Sequence, residues 1–425
     1  MSFSQRLQDV RDGFERPFWV ANITEIFERF SYYAVFASLV PYLINNLHFP
    51  TDVATKLGGL FGGTVWILAA FGGGAVADRL GFRRALSTAY FILTCAYFMV
   101  GSIGASWLAP IREAIPAQWL CGFILLLPAL GIALVKPSVV GTCARSSKEN
   151  VRSIGYSIYY TMVNIGSTIG PLAVGYINNH MKVESVFMIA AGSQLLMFIA
   201  VLIFYKEPRG ESDAGVATFS QMLGNIGTVL SNPKFMVFLL IFSGYWIVFW
   251  QQYLTLTEYM KRYGDATANM GYVLATDPLI VITCTMAVTA MTKKIPAFSA
   301  IILGSLLTSV GWLAIAFRPS VNMAIVALAI VAFGEIVMSP RYYEYISRLA
   351  PAGQQGTYMG FSFLPIGIGS IIGGWISGKM LDHYGKEVHQ PAQFWYAIVG
   401  IGLLTTALLF IYDRVVKPTQ EVPTT

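Results

Sequence analysis

The residues most able to do chemistry in this sequence are ionisable side chains inside its first long apolar segment. Residues 25–33 read Glu-Ile-Phe-Glu-Arg-Phe-Ser-Tyr-Tyr. In a helix, Glu25 and Arg29 are four residues apart and share one face, and Glu28 and Tyr32 are paired in the same way. Two carboxylates, a guanidinium and a phenol at this spacing could transfer protons and hold a charged solute.

Three more charged residues lie in later apolar segments, namely Lys136, Asp277 and Glu335. A charge at the bilayer centre costs ~2.5–3.5 kcal/mol, so the five charges other than Asp277 would cost on the order of 10–15 kcal/mol if they were exposed to lipid. We therefore expect these side chains to face each other or a wet cavity. Two alternatives stay open: the first-segment charges could form an interfacial belt, and Lys136 and Glu335 could form a purely structural ion pair.

The charge count within these segments leaves carboxylates in excess. The three glutamates outnumber the two cations by one, or by two if Asp277 joins the set. A carboxylate without a full-time cation in a low-dielectric medium favours its neutral form. The surplus acid is therefore a candidate proton carrier.

The composition is that of a membrane protein. Of 425 residues, 55% are hydrophobic and 12% are charged, whereas soluble domains have about 25% charged residues. The four cysteines show no paired spacing and the four histidines lie in polar connectors, which argues against a disulfide framework, a zinc site and a histidine-based intramembrane enzyme. The net charge of +6 is spread in twos and threes between apolar runs, so no nucleic-acid partner is expected.

Apolar segments long enough to cross ~30 Å of hydrocarbon as helices repeat along the chain. They predict an all-α polytopic membrane protein with twelve transmembrane helices. Residues 1–17 are polar and lack the apolar core of a secretory signal, so we expect the first span to be retained. The predicted spans are residues 18–45, 54–77, 85–108, 117–142, 154–177, 185–205, 234–260, 268–292, 296–317, 321–347, 356–378 and 392–413.

The distribution of Lys and Arg orients these spans. With both termini in the cytoplasm, the inside-facing segments carry roughly twice as many Lys and Arg residues as the outside-facing segments, as the positive-inside rule requires. The longest polar connector, residues 206–233, separates an N-terminal six-helix half, residues 1–205, from a C-terminal six-helix half, residues 234–425. This is the plan of the major facilitator transporters, in which the substrate binds between the halves near the midplane.

The connector between spans two and three resembles the loop motif of the major facilitator superfamily. It reads Gly-x-x-x-Asp-Arg-x-Gly-x-Arg-Arg, and its predicted gating residues are Gly74, Asp78, Arg79 and Arg83. The glycine would let helices approach closely, and Asp78 would accept hydrogen bonds from a neighbouring helix end. The alternative is a charged tight turn that obeys the positive-inside rule.

Spans five and seven carry polar residues with a less specific meaning. Trp246 and Gln251 in span seven suit a cavity wall that contacts an organic solute, or equally an interface anchor. In span five, Asn164 is predicted to hydrogen-bond across helices, whereas Gly166 and Ser167 favour close helix packing.

Taken together, these motifs resemble the proton-dependent oligopeptide transporter family. The first-span signature E-x-x-E-R-F-x-Y-Y-G is matched from Glu25 to Tyr33, with Ala34 in place of the final glycine. Further matches cover most of the chain, including residues 131–137 in span four, 160–167 in span five and 334–340 in span ten.

The resemblance implies a role for each of these side chains. Arg29 and Lys136 would receive the carboxylate of the substrate, and Glu335 would receive its amino group, which suits a zwitterion. Glu25 and Glu28 would take part in proton coupling. The pocket would be lined by Tyr32, Tyr33 and Tyr160, with Asn164 beside them.

The chain departs from the family where the solute would be recognised. Trp250-Gln251-Gln252 stands where the family has an acidic residue in span seven, and Asp277-Pro278 replaces an asparagine-proline pair in span eight. Asp277 adds a negative charge that could replace the missing acid. We therefore count Asp277 with the three glutamates among the predicted proton-coupling residues.

These observations predict a proton-coupled symporter that imports small zwitterionic solutes by alternating access, with di- and tripeptides as the first candidates. An exchanger or exporter of another small organic ion or drug-like solute is the alternative. A channel and an enzyme are disfavoured, and a non-transporting sensor stays open. We expect no metal, no cofactor beyond protons as the coupling ion, a functional monomer in the lipid bilayer, and a bacterial inner-membrane location.

Overall fold

The computed structural model describes residues 13–71, 80–208, 219–351 and 355–416. Within these ranges the chain is helical, apart from connectors and one isolated β-bridge between Phe14 and Ser147. A 12-residue helix, Phe219–Leu230, lies in the linker. The long helices are α1 Arg16–Asn45, α2 Thr51–Phe71, α3 Phe82–Ser102, α4 Ala117–Arg145, α5 Arg152–His180, α6 Glu184–Phe204, α7 Pro233–Tyr263, α8 Met270–Thr292, α9 Ala297–Phe317, α10 Val321–Leu349, α11 Thr357–Glu387 and α12 Ala392–Val416.

These long helices correspond one to one with the predicted spans, so the prediction of an all-α architecture of twelve transmembrane helices is confirmed. In the part of the chain that the structure describes, 10 of them are long and apolar enough to cross a membrane. The other two, α1 and α5, have 30 and 29 residues and are rich in polar side chains. The polarity of α1 comes from its charged stretch, and that of α5 from Tyr, Ser, Thr and Asn.

Packing divides the chain into two compact units. Unit 1 consists of residues 1–42 and 72–219, and unit 2 consists of residues 43–71 and 220–425. Helix α2 thus packs with unit 2, although chain order places it in the N-terminal half. The predicted halves follow chain order and stay a prediction, whereas the units follow packing.

In unit 1, α5 approaches the backbone of α1 through two glycines. A methyl group on Gly166 would overlap the carbonyl oxygen of Ile26 and the Cβ of Arg29. A methyl group on Gly170 would lie 2.8 Å from the carbonyl oxygen of Phe30. The predicted close packing at Gly166 is therefore confirmed, because only a residue without a side chain lets the two backbones come this near.

Helix α6 holds α1 through side-chain hydrogen bonds. Gln194 is fully buried, and its Nε2 donates to the carbonyl oxygen of Phe27 at 3.1 Å and to Oγ of Ser31 at 2.8 Å. Because α5 and α6 both fix α1, the side chains of its charged stretch have defined positions.

In unit 2, α11 presents two faces of small residues. One face lies against α2, where a methyl group on Gly59 would be 2.5 Å from the carbonyl oxygen of Ser370. The Ser370 hydroxyl donates to the carbonyl oxygen of Gly59 at 3.2 Å. The other face lies against α7, where a methyl group on Gly369 would be 2.7 Å from the carbonyl oxygen of Ser243. Both contacts require small residues, because the helix backbones nearly touch.

Arg262 ties together three helices of unit 2 at the end of α7. Its guanidinium donates to Oε1 of Glu258 at 2.6 Å, to Oδ1 of Asp382 at 2.7 Å and to Oγ1 of Thr51 at 2.6 Å. These partners come from α7, α11 and the start of α2. A planar guanidinium can hold all three because its donors point in several fixed directions.

Two helix irregularities position the polar residues of unit 2. In α7, a π-helical turn spans Gln252–Leu256, and turns of this kind occur frequently at functional sites. In α8, the helix is interrupted at Ala275, because Pro278 has no N–H to donate to the carbonyl four residues earlier. Asp277 lies in the first helical turn after this interruption.

Replacing Gly374 of α11 by alanine should destabilise unit 2, because the methyl group would overlap the carbonyl oxygen of Thr55 and the Cα of Gly59. The expected loss is about 1–3 kcal/mol of unfolding free energy, measured as a lower unfolding midpoint in detergent by tryptophan fluorescence. Gly400→Ala in α12 is the matched control, since nothing lies within 4 Å of a methyl group there. Equal midpoints for the two variants would contradict the close packing of α2 on α11.

Candidate functional site

The charged residues of α1 pair first with each other. The Arg29 guanidinium donates to both carboxylate oxygens of Glu28, from Nε at 2.5 Å and from Nη2 at 2.7 Å. Adjacent residues on a helix do not normally face each other. Here both side chains are long enough to meet, and both are fully buried. A buried charge without an oppositely charged partner is strongly unfavourable, so the two side chains pair. The sequence spacing predicts that Glu28 pairs with Tyr32. In the structure Glu28 instead binds Arg29, and the centroid of the Tyr32 ring lies 4.8 Å from Cζ of the Arg29 guanidinium.

Lys136 of α4 binds the remaining carboxylate of α1. Its Nζ donates to Oε1 of Glu25 at 2.5 Å and to the Tyr159 hydroxyl at 3.4 Å. The same oxygen of Glu25 lies 3.7 Å from Nε of Arg29. The other oxygen, Oε2, is buried and has no hydrogen-bond partner among the described residues. We name Glu25, Glu28, Arg29 and Lys136 the α1–α4 cluster.

The α1–α4 cluster is electrically balanced, with two carboxylates and two cations. Each cation to which the resemblance assigns a substrate carboxylate already binds a carboxylate of the protein. The alternative of an interfacial belt is wrong, because Glu25, Glu28 and Arg29 are 0%, 0% and 1% exposed. Arg29 or Lys136 can bind an anionic solute only after the carboxylate that it now binds is protonated or moves away.

The α5 residues beside the cluster differ in part from the predicted set. Tyr159 contacts Lys136, whereas the predicted pocket residue Tyr160 is 48% exposed. Tyr33 is partly buried. The predicted hydrogen bond of Asn164 across helices is wrong: its Nδ2 donates to the carbonyl oxygen of Tyr160 at 2.9 Å, one turn back in its own helix. Short polar side chains often satisfy themselves in this way.

Three of the predicted gating residues lie outside the described residues, namely Gly74, Asp78 and Arg79. The fourth, Arg83, donates from Nη2 to the carbonyl oxygen of Leu202 in α6 at 2.7 Å. Glu207, which follows α6 and was not predicted, accepts hydrogen bonds from the backbone N–H groups of Phe82 and Arg83 at 2.7 and 2.9 Å. A carboxylate there satisfies free donors at the positive end of α3. The start of α3 is thus joined to the end of α6.

In the described part of unit 2, two acidic residues have no cationic partner, namely Asp277 of α8 and Glu335 of α10. Asp277 is buried, and its Oδ2 accepts a hydrogen bond from Nε2 of Gln252 at 3.4 Å. Glu335 is partly buried on α10, which packs against α8 through Val281, Ala332 and Ile336. Among the described residues, no cation neutralises either carboxylate. The two surplus carboxylates counted in the sequence are thus Asp277 and Glu335, which we name the α8–α10 acid pair.

Of the two neighbouring glutamines in α7, Gln252 contacts the acid pair and Gln251 does not. Gln251 is fully buried, and its Nε2 donates to the carbonyl oxygen of Ile247 at 2.8 Å. Its Oε1 accepts hydrogen bonds from the hydroxyls of Thr255 and Ser377, both at 2.9 Å. The prediction that Gln251 lines a solute cavity is therefore wrong, because the side chain is enclosed between α7 and α11. The sequence does carry a signal for Gln252: a buried aspartate such as Asp277 needs a hydrogen-bond donor, and the amide of Gln252 is a candidate for that donor.

Trp246 is enclosed by other aromatic rings of α7. Its ring centroid lies 5.2 Å from that of Tyr245 and 5.0 Å from that of Phe249. The side chain is buried, which does not fit the alternative of an interface anchor.

Comparison with known proteins identifies a family. The family model described as Major Facilitator Superfamily matches residues 21–373 and 301–425. The multidrug resistance protein MdtH of Klebsiella pneumoniae subsp. pneumoniae is 24% identical over 339 residues, which cover 80% of this chain and 80% of that protein. MdtH of Escherichia coli O157:H7 is 22% identical over 334 residues, which cover 78% of each chain.

Solved structures with the same fold include members of the POT family. A crystal structure of a POT family transporter in complex with 5-aminolevulinic acid has a TM-score of 0.76 and 18% identity, covering 95% of this chain and 97% of that chain. A crystal structure of the nucleoside transporter NupG has a TM-score of 0.75 and 10% identity, covering 93% and 99%. At these identities the likeness concerns the fold alone.

Removing one member of a buried ion pair should cost far more than removing both. We expect Arg29→Gln to lower the free energy of unfolding by about 3–5 kcal/mol, because it leaves Glu28 buried without a cation. The double change Glu28→Gln with Arg29→Gln should recover a large part of that loss. Arg348→Gln is the control, since its ion pair with Glu344 is exposed and worth about 0–1 kcal/mol. Denaturant titration in detergent measures these variants together with Glu28→Gln alone and the unchanged protein, and strictly additive effects of the two single changes would contradict the pairing.

Proposed function

The chain belongs to the Major Facilitator Superfamily, and we propose that it is a proton-coupled transporter of small organic solutes that bear charged groups. Membership of this superfamily makes the protein an integral membrane transporter rather than an enzyme. The coupling ion and the class of solute are the parts that we propose, and both are argued from the buried charges.

The α1–α4 cluster supports proton coupling. One oxygen of Glu25 binds Lys136 and lies near Arg29, while the other oxygen is buried with no hydrogen-bond partner among the described residues. A proton bound at that second oxygen would remove the negative charge that holds Lys136. This arrangement of Glu25 is the observation on which the proposal rests.

Release of Lys136 would link the proton to a solute. A buried ammonium group without an anion is unfavourable, so the freed Lys136 needs another carboxylate, which a solute can supply. Proton binding then favours anion binding, and by linkage anion binding favours proton binding to the same extent. Two ligands that favour each other's binding are the condition for symport.

Di- and tripeptides are the first candidates for the solute. Their carboxylate suits Lys136 and Arg29 and their amino group suits Glu335, which are the roles that the family resemblance implies. The likeness in fold to POT family transporters agrees with this assignment. Alternating access would then carry solute and proton across the membrane together.

Exchange or export of another small organic ion is the second candidate. It is favoured by the α8–α10 acid pair, two carboxyl groups without a cationic partner in the described residues. The sequence relatives named multidrug resistance proteins agree with it. In this case the proton and the solute would move in opposite directions.

We infer that the protein acts in a bacterial inner membrane, as a monomer with both termini in the cytoplasm. The Lys and Arg distribution supports the orientation, and the bacterial source of the sequence relatives supports the location. No cofactor beyond the proton is needed for either candidate function.

Liposomes containing the purified protein should take up labelled dialanine several-fold faster under an inward proton gradient, and a protonophore should remove the difference. Glu25→Gln should abolish the gradient-driven part but keep the exchange of labelled for unlabelled dialanine, because the amide leaves Lys136 free and cannot carry a proton. Asp265→Asn, in the exposed connector before α8, is the control and should behave as the unchanged protein.

Two results would redirect the proposal. If dialanine is not taken up but a proton gradient drives the movement of a labelled organic cation in the opposite direction, the second candidate replaces the first. Gradient-driven uptake that is unchanged in Glu25→Gln would remove Glu25 from the coupling mechanism.

A further inference from the structure

We propose that Lys56 of α2, together with Trp375 and Lys379 of α11, forms a binding site for the headgroup of one anionic phospholipid. We name these three residues the α2–α11 site. The inference goes beyond the proposed transport function, because it concerns the lipid around the protein and requires neither a transported solute nor a proton gradient.

Two ammonium groups from different helices meet at one aromatic ring. Nζ of Lys56 lies 5.7 Å from the centroid of the Trp375 ring, and Nζ of Lys379 lies 5.6 Å from it. The face of an indole ring attracts cations but carries no net charge, so it holds both lysines without neutralising either of them. An anion that contacts both ammonium groups would offset their mutual repulsion.

The charges around the α2–α11 site leave it with a net positive charge. Lys56 donates to Oδ2 of Asp52 at 2.7 Å, whereas Lys379 makes no ion pair with a described residue. Asp382, which follows Lys379 by three residues, already binds Nη1 of Arg262 at 2.7 Å. Two ammonium groups of the site thus share a single carboxylate.

The packing of α2 on α11 fixes the positions of the two lysines. A methyl group on Gly378 would lie 2.6 Å from Cα of Asp52 and 2.8 Å from the carbonyl oxygen of Thr51. Gly378 directly precedes Lys379, and Asp52 lies one turn before Lys56. The lysines therefore project from two helices whose backbones nearly touch, and a ligand can reach both with little rearrangement of the protein.

The α2–α11 site lies at the depth of a lipid headgroup. Lys56 is in the second turn of α2, and Lys379 is in the last α-helical turn of α11. The Trp375 ring is 60% exposed, and Ile372, one turn nearer the membrane centre, is 42% exposed. Tryptophan is enriched at the membrane–water interface, and lysine extends its charge toward the headgroups from there. A phospholipid can place its phosphate at the ammonium groups and an acyl chain along Ile372, whereas a soluble phosphate gains only the first contact.

Native mass spectrometry of the full chain in detergent tests the site by comparing phosphatidylglycerol with phosphatidylcholine of the same acyl chains. We expect the first phosphatidylglycerol to bind at least roughly tenfold more tightly, because each lysine near a headgroup contributes about a factor of five. The preference should fall as the concentration of ammonium acetate rises, since salt screens exposed charges. Glycerol 3-phosphate carries the phosphate without acyl chains and should not compete with the lipid.

Two changes of opposite expected sign test the residues of the site. The double change Lys56→Gln with Lys379→Gln should weaken phosphatidylglycerol binding roughly tenfold or more, to the level of phosphatidylcholine. Asp52→Asn should instead tighten it several-fold, because Lys56 loses the carboxylate that competes with the lipid phosphate. A purely structural role of the ion pair would not produce this gain.

Each change has a control of equal charge. Lys293→Gln with Lys294→Gln removes two exposed lysines from the connector after α8, and Asp265→Asn removes an exposed carboxylate from the connector before α8. Both controls should alter phosphatidylglycerol affinity less than about twofold. If the double change in the α2–α11 site does not fold, the salt dependence and Asp52→Asn still decide the question.

Three results would overturn the proposal. Equal losses in the two double lysine variants, or unchanged affinity in Asp52→Asn, would show that binding follows the total charge of the protein rather than the site. Competition by glycerol 3-phosphate would remove the assignment to a lipid. None of these results bears on proton-coupled transport, and a failure of dialanine uptake would leave the α2–α11 site unaffected.

Discussion

Every charge inside the spanning helices needs a partner, because the surrounding medium cannot solvate it. In unit 1 this constraint joins Arg29 to Glu28 and Lys136 to Glu25. Both ion pairs depend on α1 being held in place, and Gly166 of α5 lets the two backbones meet at the position of Arg29. The cluster is stable while all four charges are present and becomes unfavourable when one is lost. A network of this kind can respond to a single proton.

The two units meet the same constraint in different ways. Unit 1 pairs its carboxylates with its own cations, whereas unit 2 leaves Asp277 and Glu335 with a neutral donor and an acidic neighbour. The first arrangement needs a proton to free a cation, and the second needs a cation or a proton from outside.

Small residues decide the packing of unit 2. Helix α11 places Gly367, Gly374 and Gly378 against α2 and Gly369 against α7, so its backbone closely approaches two other helices. The charged residues of the sequence do not indicate this packing, because the helices meet at glycines, which have no side chain. The signal in the sequence is their spacing, as in Gly59 and Gly63 of α2, which recur at one helical turn. The same packing encloses Gln251 and leaves Gln252 to contact Asp277.

The sequence by itself determined the number of long helices, their order and the positions of the buried charges, because hydropathy and helix length act along the chain. It could not determine the pairing. Lys136 and Glu25 are 111 residues apart in the chain. Arg29 pairs with Glu28, although adjacent residues of an ideal helix point in different directions. Only the tertiary structure decided that these two cations already bind carboxylates of the protein, while no cation of the described residues binds Asp277. The physical reason is that an ion pair depends on the distance between side chains, and helix packing sets that distance.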